Sequence, residues 1–226
     1  MTAHYPELLK APHVSADLSL TTRKPGFYRN GLKRALDLAL VLASLPVTLP
    51  VIALLALIVM RDGHAPFYTQ ARVGRGGKVF RFWKLRSMMH DADAYLAEYL
   101  ARDPEAQAEW EHSQKLKSDP RITRFGNFLR KSSLDELPQL WNVLKGDMSL
   151  VGPRPMMPDQ QDLYPGRAYY TLRPGLTGTW QISDRNHTSF AARADFDTSY
   201  AEALSLNHDL HILAATVGVV LRGTGY

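Results

Sequence analysis

Apolar positions are spread unevenly along the chain. From Leu38 to Met60 there are 23 residues without one charge. At about 1.5 Å per residue, a straight helix of that length could cross a bilayer. Pro46 and Pro50 stand near its centre. Each removes a backbone donor and crowds the carbonyl four residues back, so a kink or break is expected there. The hydroxyls of Ser44 and Thr48 are close enough in sequence to satisfy backbone groups freed at such a break. Residues 66–73 and 78–85 predict two strands, and Gly74-Arg-Gly-Gly77 between them predicts a hairpin turn. Over residues 91–117, Tyr95, Leu96, Tyr99 and Leu100 recur at helical spacing, with Pro104 marking an interruption or a second start. Residues 119–131 place Ile122, Phe125, Phe128 and Leu129 among basic residues, the pattern of an amphipathic helix for a membrane surface or for phosphate. Residues 156–197 have no clear period, and residues 198–222 again predict a helix. Its apolar run, His211 to Leu221, is too short to span. Residues 1–30 lack a sustained period and predict a mobile tail; the polar tail also argues against reading the apolar run as a cleaved signal peptide.

Charge sharpens the picture of the apolar segment. Lys33 and Arg34 precede it; Arg61, Arg72, Arg75, Lys78, Arg81, Lys84 and Arg86 follow it, against Asp62 alone. Positive flanks favour the cytoplasmic face, and here both ends ask for it. A helix–break–helix hairpin entering and leaving by one leaflet satisfies both ends. A kinked ordinary span and a buried core helix are the other readings of the same residues. From Asp91 to Glu111 the balance reverses, with seven acids and only Arg102 against them, which fits a solvated helix face.

The whole chain of 226 residues carries a net charge of +5 and is 45% hydrophobic, with room for one domain of ordinary size and an appendage. There is no cysteine, which excludes disulfides, thiolate metal sites and a cysteine nucleophile. A basic balance points to nucleic acid, anionic lipid or a phosphorylated substrate. The eight histidines show no metal-binding spacing, and Gly74-x-Gly76-Gly77 does not open a helix as a phosphate loop does. Few aromatics interleave the arginines of 121–131, and the apolar segment suits a soluble nucleic-acid binder poorly.

The stretch richest in chemistry is Ser132-Ser133-Leu134-Asp135-Glu136-Leu137-Pro138. Ser133 and Glu136 have capping-box spacing, while Pro138 favours a helix start near Glu136. Either register sets Asp135 and Glu136 at a helix N-terminus, where the dipole holds carboxylates ionised, as a nucleophile or metal ligand must be. Acids at helix starts are also common for purely structural reasons. The company favours chemistry: Arg121, Arg124, Arg130 and Lys131 precede the pair, and Gly152-Pro153-Arg154-Pro155 follows it. That second element is rigid, offers a glycine for close backbone approach and fixes a guanidinium, which matches phosphate oxygens bidentately.

Three elements in this order resemble the bacterial sugar transferase family, the monotopic phosphoglycosyl transferases. They are the proline-broken apolar segment with the basic hairpin ending Lys84-Leu-Arg86-Ser-Met88, the run from Asp119 to Pro155, and Arg173-Pro-Gly-Leu-Thr-Gly178 with Trp180-Gln181. The match covers roughly residues 31–226, and the length is similar to members that initiate exopolysaccharide repeat units. The resemblance implies an α+β fold, mainly helical with a short β-hairpin. It also implies a monotopic bacterial inner-membrane protein with its catalytic domain on the cytoplasmic face. Residues 1–30 would be the tail, 31–62 the re-entrant hairpin broken at Pro46, and 63–226 the catalytic domain with interfacial helices. The family often has serine directly before that proline, and here Leu45 intervenes after Ser44.

The activity so implied is transfer of a hexose 1-phosphate from a UDP-hexose, galactose or glucose favoured, to undecaprenyl phosphate with release of UMP. Asp135 matches the family's nucleophile, which becomes a covalent aspartyl phosphosugar. Glu136 matches the second dyad member, a proton acceptor or an aid to positioning metal and phosphate. Mg2+ is expected at the dyad, with Asp135 as a ligand. The expected phosphate-binding set is Lys84, Arg86, Arg121, Arg130, Pro153, Arg154 and Pro155. Membrane lipids are implied partners, a homodimer is a candidate assembly, and nucleic acid is not expected. The competing reading is a basic membrane-attached scaffold in which Asp135 and Glu136 only cap a helix.

Overall fold

The computed structural model describes residues 26–113, 116–183 and 189–221. The predicted tail lies outside the described residues as far as residue 25; a single wide helical turn, Tyr28–Leu32, already stands where its last residues were expected. It leads into α1, Lys33–Val59, a helix of 27 residues that runs through both Pro46 and Pro50. The helix is therefore continuous, and the expected break does not take the form of a non-helical turn. Each proline removes only one rung of the ladder, and its neighbours keep theirs. Ser44 donates its hydroxyl to the Val41 carbonyl at 2.8 Å, and Thr48 to that of Ser44 at 3.1 Å. These carbonyls flank the two that the prolines leave without a backbone donor, those of Leu42 and Pro46.

Few α1 side chains are covered. Asp37, Val41, Leu55 and Ala56 are buried, while Leu42, Val47, Leu49, Leu54 and Leu57 are all more than half exposed. A core helix of a soluble protein would hide such residues, so that reading of the segment is set aside. An apolar helix left bare suits a lipid surrounding.

Both ends of α1 are fastened to the rest of the protein. Near its start, Lys33 meets Asp209 at 2.5 Å, and Arg34 donates to the carbonyls of Val143 and Leu144 at 2.6 and 3.0 Å. Asp37 accepts from the Ser149 hydroxyl at 2.7 Å and the Leu150 amide at 3.1 Å. Past its end, the Arg86 guanidinium grips both oxygens of Asp62 at 2.6 Å and donates to the Val59 carbonyl at 3.2 Å.

The hairpin forms as its pattern predicts. Strand β1, Phe67–Val73, pairs antiparallel with β2, Val79–Leu85, with Tyr68 opposite Lys84 and Arg72 opposite Phe80. Paired residues share a face, so Arg72, Phe82 and Lys84 stand on one side of the ribbon. Helices α2, Ala92–Arg102, and α3, Pro104–Ser113, are split where Pro104 predicts a second start. The Asp103 carboxylate caps α3 by accepting from the amides of Glu105 and Ala106.

Helix α4, Arg124–Lys131, is shorter than the predicted 119–131, because Thr123 caps it through the Gly126 amide at 2.8 Å. The preceding residues instead form a turn closed by Asp119 and Arg121. Gly126 lies so close to β2's exit that a Cβ there would fall 1.8 Å from the Ser87 carbonyl oxygen.

Helix α5, Gln139–Lys145, leads to β3, Ser149–Val151. Helix α6, Ala168–Thr171, precedes β4, Gly175–Thr177, which pairs with β3 in parallel. The hydrophobic pattern predicts neither strand, and β4 falls in the aperiodic stretch. Gly175 is required there, since a Cβ on it would sit 2.1 Å from the Gly152 nitrogen. The short α7, Thr179–Ile182, follows, and the predicted final helix is two: α8, Arg193–Ala203, and α9, Leu206–Leu221. Ser205 separates them, accepting from the His208 amide on its hydroxyl and from the Asp209 amide on its carbonyl. The main core joins Val41 of α1, Phe80 and Phe82 of β2, Val143 of α5, Leu150 of β3, Tyr200 of α8 and Ile212 of α9. The first half of α1, the hairpin and the parallel pair thus meet in one place.

Candidate active site

Asp135 and Glu136 occupy a tight 3-10 turn, Leu134–Glu136. The turn opens on Ser133, held at φ +57°, in the left-handed region that non-glycine residues rarely adopt. Ser133 makes no side-chain cap, so the predicted capping box does not form. Helix α5 begins only at Gln139, leaving the two acids ahead of it rather than in its first turn.

What holds the pair is Lys84. Its ammonium lies 2.7 Å from Glu136 Oε1 and 3.3 Å from Asp135 Oδ2. Asp135 is buried, and burial pushes its pKa above the ordinary carboxylate range, with Lys84 the strongest opposing influence and Glu136 adding to the rise. The expectation that a helix dipole keeps Asp135 ionised is corrected accordingly: desolvation dominates, and lysine charge does the holding. For Glu136 the balance is opposite. Burial works against its charge, but Lys84 and then Arg154 outweigh it and hold its pKa below the ordinary value. The Gln139 amide is near enough to favour that charge, although its nitrogen makes no hydrogen bond of normal geometry.

Beside the pair lies a small cavity of about 50 Å3, lined by Arg72, Phe82, Lys84, Glu136, Gln139, Arg154, Pro155, Gly175, Leu176 and Gln181. Three cations face one carboxylate there. Arg72 is largely desolvated and feels the repulsion of Arg154, which lowers its pKa. Phe82 carries Arg72 and Lys84 against its ring, with centroid distances of 5.3 and 5.7 Å. Arg154 lies 5.7 Å from the centre of the Trp180 ring.

The predicted residues divide. Lys84, Glu136, Arg154 and Pro155 line the cavity, with Asp135 joined through Lys84. Arg130 donates from Nε to the Ser87 hydroxyl at 2.8 Å, and its charge reaches Asp135. Pro153 serves the scaffold, its carbonyl accepting from the Gly175 amide at 2.8 Å. Arg86 and Arg121 are not brought to the site. Arg86 is committed to Asp62 and the end of α1, and Arg121 to a buried pair with Asp119, against the Trp110 ring. Sequence reasoning gave no role to Arg72, Gln139 or Gln181. The signal for Arg72 was the hairpin register, since it shares the face of Lys84.

No group of three or more histidine or acidic side chains suited to a metal exists among the described residues. A cage made wholly by protein is therefore absent there. Glu136 on the cavity wall, with Asp135 beside it across Lys84, does fit Mg2+, which commonly takes one or two carboxylates and completes its shell with water and substrate phosphate.

A carboxylate pair on a lysine, beside an arginine-rich cavity, on a body carrying a bare apolar helix, suits an enzyme handling phosphorylated substrate at a lipid surface. The chain belongs to the bacterial sugar transferase family, whose model matches residues 28–223. It is 49% identical to a UDP-galactose-lipid carrier transferase of Erwinia amylovora, over 86% of this chain and 41% of that one. It is 48% identical to an undecaprenyl-phosphate galactose phosphotransferase of Salmonella typhimurium, again over 86% of this chain and 41% of the relative. The chain thus spans about two fifths of the length of these relatives. The exopolysaccharide production protein ExoY of Sinorhizobium fredii is 43% identical, over 85% of this chain and 87% of its own.

Proposed function

We propose that this chain transfers hexose 1-phosphate, galactose favoured, from a UDP-sugar to undecaprenyl phosphate and so starts a glycan repeat unit. The observation that carries this reading is the Asp135–Lys84–Glu136 bridge at an arginine-lined cavity. The relatives from Erwinia and Salmonella, a UDP-galactose-lipid carrier transferase and an undecaprenyl-phosphate galactose phosphotransferase, support the same substrates.

In the proposed chemistry an Asp135 carboxylate oxygen attacks the β-phosphorus of the donor. The bond from that phosphorus to the bridging oxygen breaks, and UMP leaves with its electron pair. An aspartyl phosphohexose remains. A phosphate oxygen of the lipid then attacks the same phosphorus, its bond to Asp135 breaks, and the carboxylate is restored. Glu136, kept ionised by Lys84 and Arg154, can take a proton from the lipid phosphate. An anionic nucleophile and a pyrophosphate repel, so Lys84, Arg72 and Arg154 serve by neutralising that charge in a partly dry site. Mg2+, when bound by Asp135 and Glu136, would supply further charge neutralisation on the donor phosphates. The test is intact mass measurement of the protein given UDP-galactose and Mg2+ without lipid. A gain of one hexose phosphate on Asp135, lost on adding undecaprenyl phosphate and prevented by a chelator, is expected. UMP release with no adduct at any time sinks the covalent route.

The proposed placement is monotopic, on the cytoplasmic face of the inner membrane. Support comes from the two ends of α1, which are both fastened to one body, at Asp209 and Val143 on one side and at Arg86 on the other. A simple span would carry those ends to opposite faces of the bilayer. Tags at residues 1 and 226 should both resist labelling from outside intact cells; labelling of only one of them means a span.

A further inference from the structure

Five buried side-chain atoms among the described residues lack a hydrogen-bond partner: Gln139 Nε2, Thr179 Oγ1, both amide atoms of Gln181, and Arg193 Nε. Three of them belong to residues that line one cavity. Gln139 and Gln181 line the cavity beside the dyad. Thr179 belongs to α7 with Gln181. The Arg193 guanidinium stacks 4.1 Å from the centre of the Trp180 ring, in the same short helix, and burial beside Arg154 lowers its pKa to about 10. Buried polar groups normally find partners, because leaving them unmet costs stability. Gln181, unmet at both amide atoms and on the cavity wall, is the group that a ligand would satisfy.

Their chemistry describes that ligand. Arginines match phosphate oxygens, which at neutral pH only accept. Gln181 is different, since its free amide offers a donor and an acceptor side by side and suits a group that does both, as a hydroxyl does. Uracil also donates and accepts, but in a UDP-sugar the base lies a ribose and a phosphate beyond the reacting phosphorus. The hydroxyls of the sugar are only a few bonds away. Glu136 and Gln181 line the same small cavity, so the group that Gln181 meets is one close to the reacting phosphorus.

We propose that Gln181 reads a hydroxyl of the transferred sugar while Arg72, Lys84 and Arg154 hold the phosphate beside it, an assignment that rests on the donor reading above. Gln181 is thereby a specificity residue for the sugar, distinct from the dyad that does the chemistry.

The test uses the full chain in lipid nanodiscs, with UDP-galactose and its monodeoxy analogues, one lacking each sugar hydroxyl. Gln181→Ala should lower kcat/KM for UDP-galactose about 30-fold, the scale of one lost buried hydrogen bond. With one analogue the wild type should be as slow as the variant, because the reading contact is already gone. A second variant guards against a folding artefact. Gln181→Leu removes an unpaired amide, so without donor it should unfold at the wild-type temperature or above while sharing the catalytic loss. Equal losses on all donors, or an unchanged kcat/KM for UDP-galactose, overturn the assignment. Discrimination that follows changes in the base overturns it too. If the wild type releases no UMP from UDP-galactose or UDP-glucose, the donor reading itself falls. If it turns over normally and the variant matches it, only the role of Gln181 falls.

Discussion

Asp135→Asn is expected to lower UMP release from UDP-galactose by about six orders of magnitude, the scale seen when a covalent nucleophile is removed. The substitution keeps the shape of a buried side chain and removes a charge that burial disfavours. Folding and membrane association should therefore survive it. Turnover unchanged in this variant would remove Asp135 from the chemistry. The wild-type pH profile offers an independent check. The proposed attack needs the ionised carboxylate, and its pKa is raised by burial, so protonation wins at a higher pH than for an ordinary aspartate. Activity should fall on the acid side, as pH drops through that raised pKa, and Glu136 should still be ionised there.

The second large effect concerns Lys84. It is the strongest influence favouring charge on both Asp135 and Glu136. Lys84→Met leaves two neighbouring carboxylates with their bridging cation gone, and it removes one of the three cations facing the cavity. A loss of about 100- to 1,000-fold in kcat/KM is expected, comparable to deleting one oriented donor from a charge-stabilising site. The acid limb should also move to higher pH, because Asp135 loses its main opposition to protonation. Lys84→Arg keeps the charge and should restore part of that shift without restoring the full rate, since a planar fork cannot bridge the two acids as a point ammonium does. An acid limb that stays in place in Lys84→Met means that Lys84 does not govern Asp135.

Much of the fold was legible locally. The β-hairpin lies within a residue of its predicted bounds, because period-two patterning and a glycine-rich turn act over a few residues. Pro104 marked a real helix start for a similar reason. The prolines of α1 mark lost donors, and the helix runs unbroken through both of them, because the surrounding rungs keep their own hydrogen bonds. The break at Ser205 was missed because one apolar pattern runs through two helices, and a serine cap is a weak signal inside it.

At the site, the sequence by itself determined the inventory: two adjacent acids, a basic hairpin, a rigid Gly-Pro-Arg-Pro element and an apolar segment for a lipid surface. Which basic groups face the acids was decided only by tertiary structure. Lys84 and Arg86 differ by two residues, and an unbroken strand would point them the same way. Strand β2 ends at Leu85, so Lys84 reaches the dyad while Arg86 turns back to hold the end of α1. The folded chain likewise gathers Arg72, Gln139, Arg154 and Gln181, from four separate segments, around one small cavity. It also buries Asp135 deeply enough to raise its pKa, where local reasoning expected a helix dipole to lower it. The reason is physical. Residue type and spacing are local properties, whereas desolvation and charge proximity depend on what distant segments bring alongside.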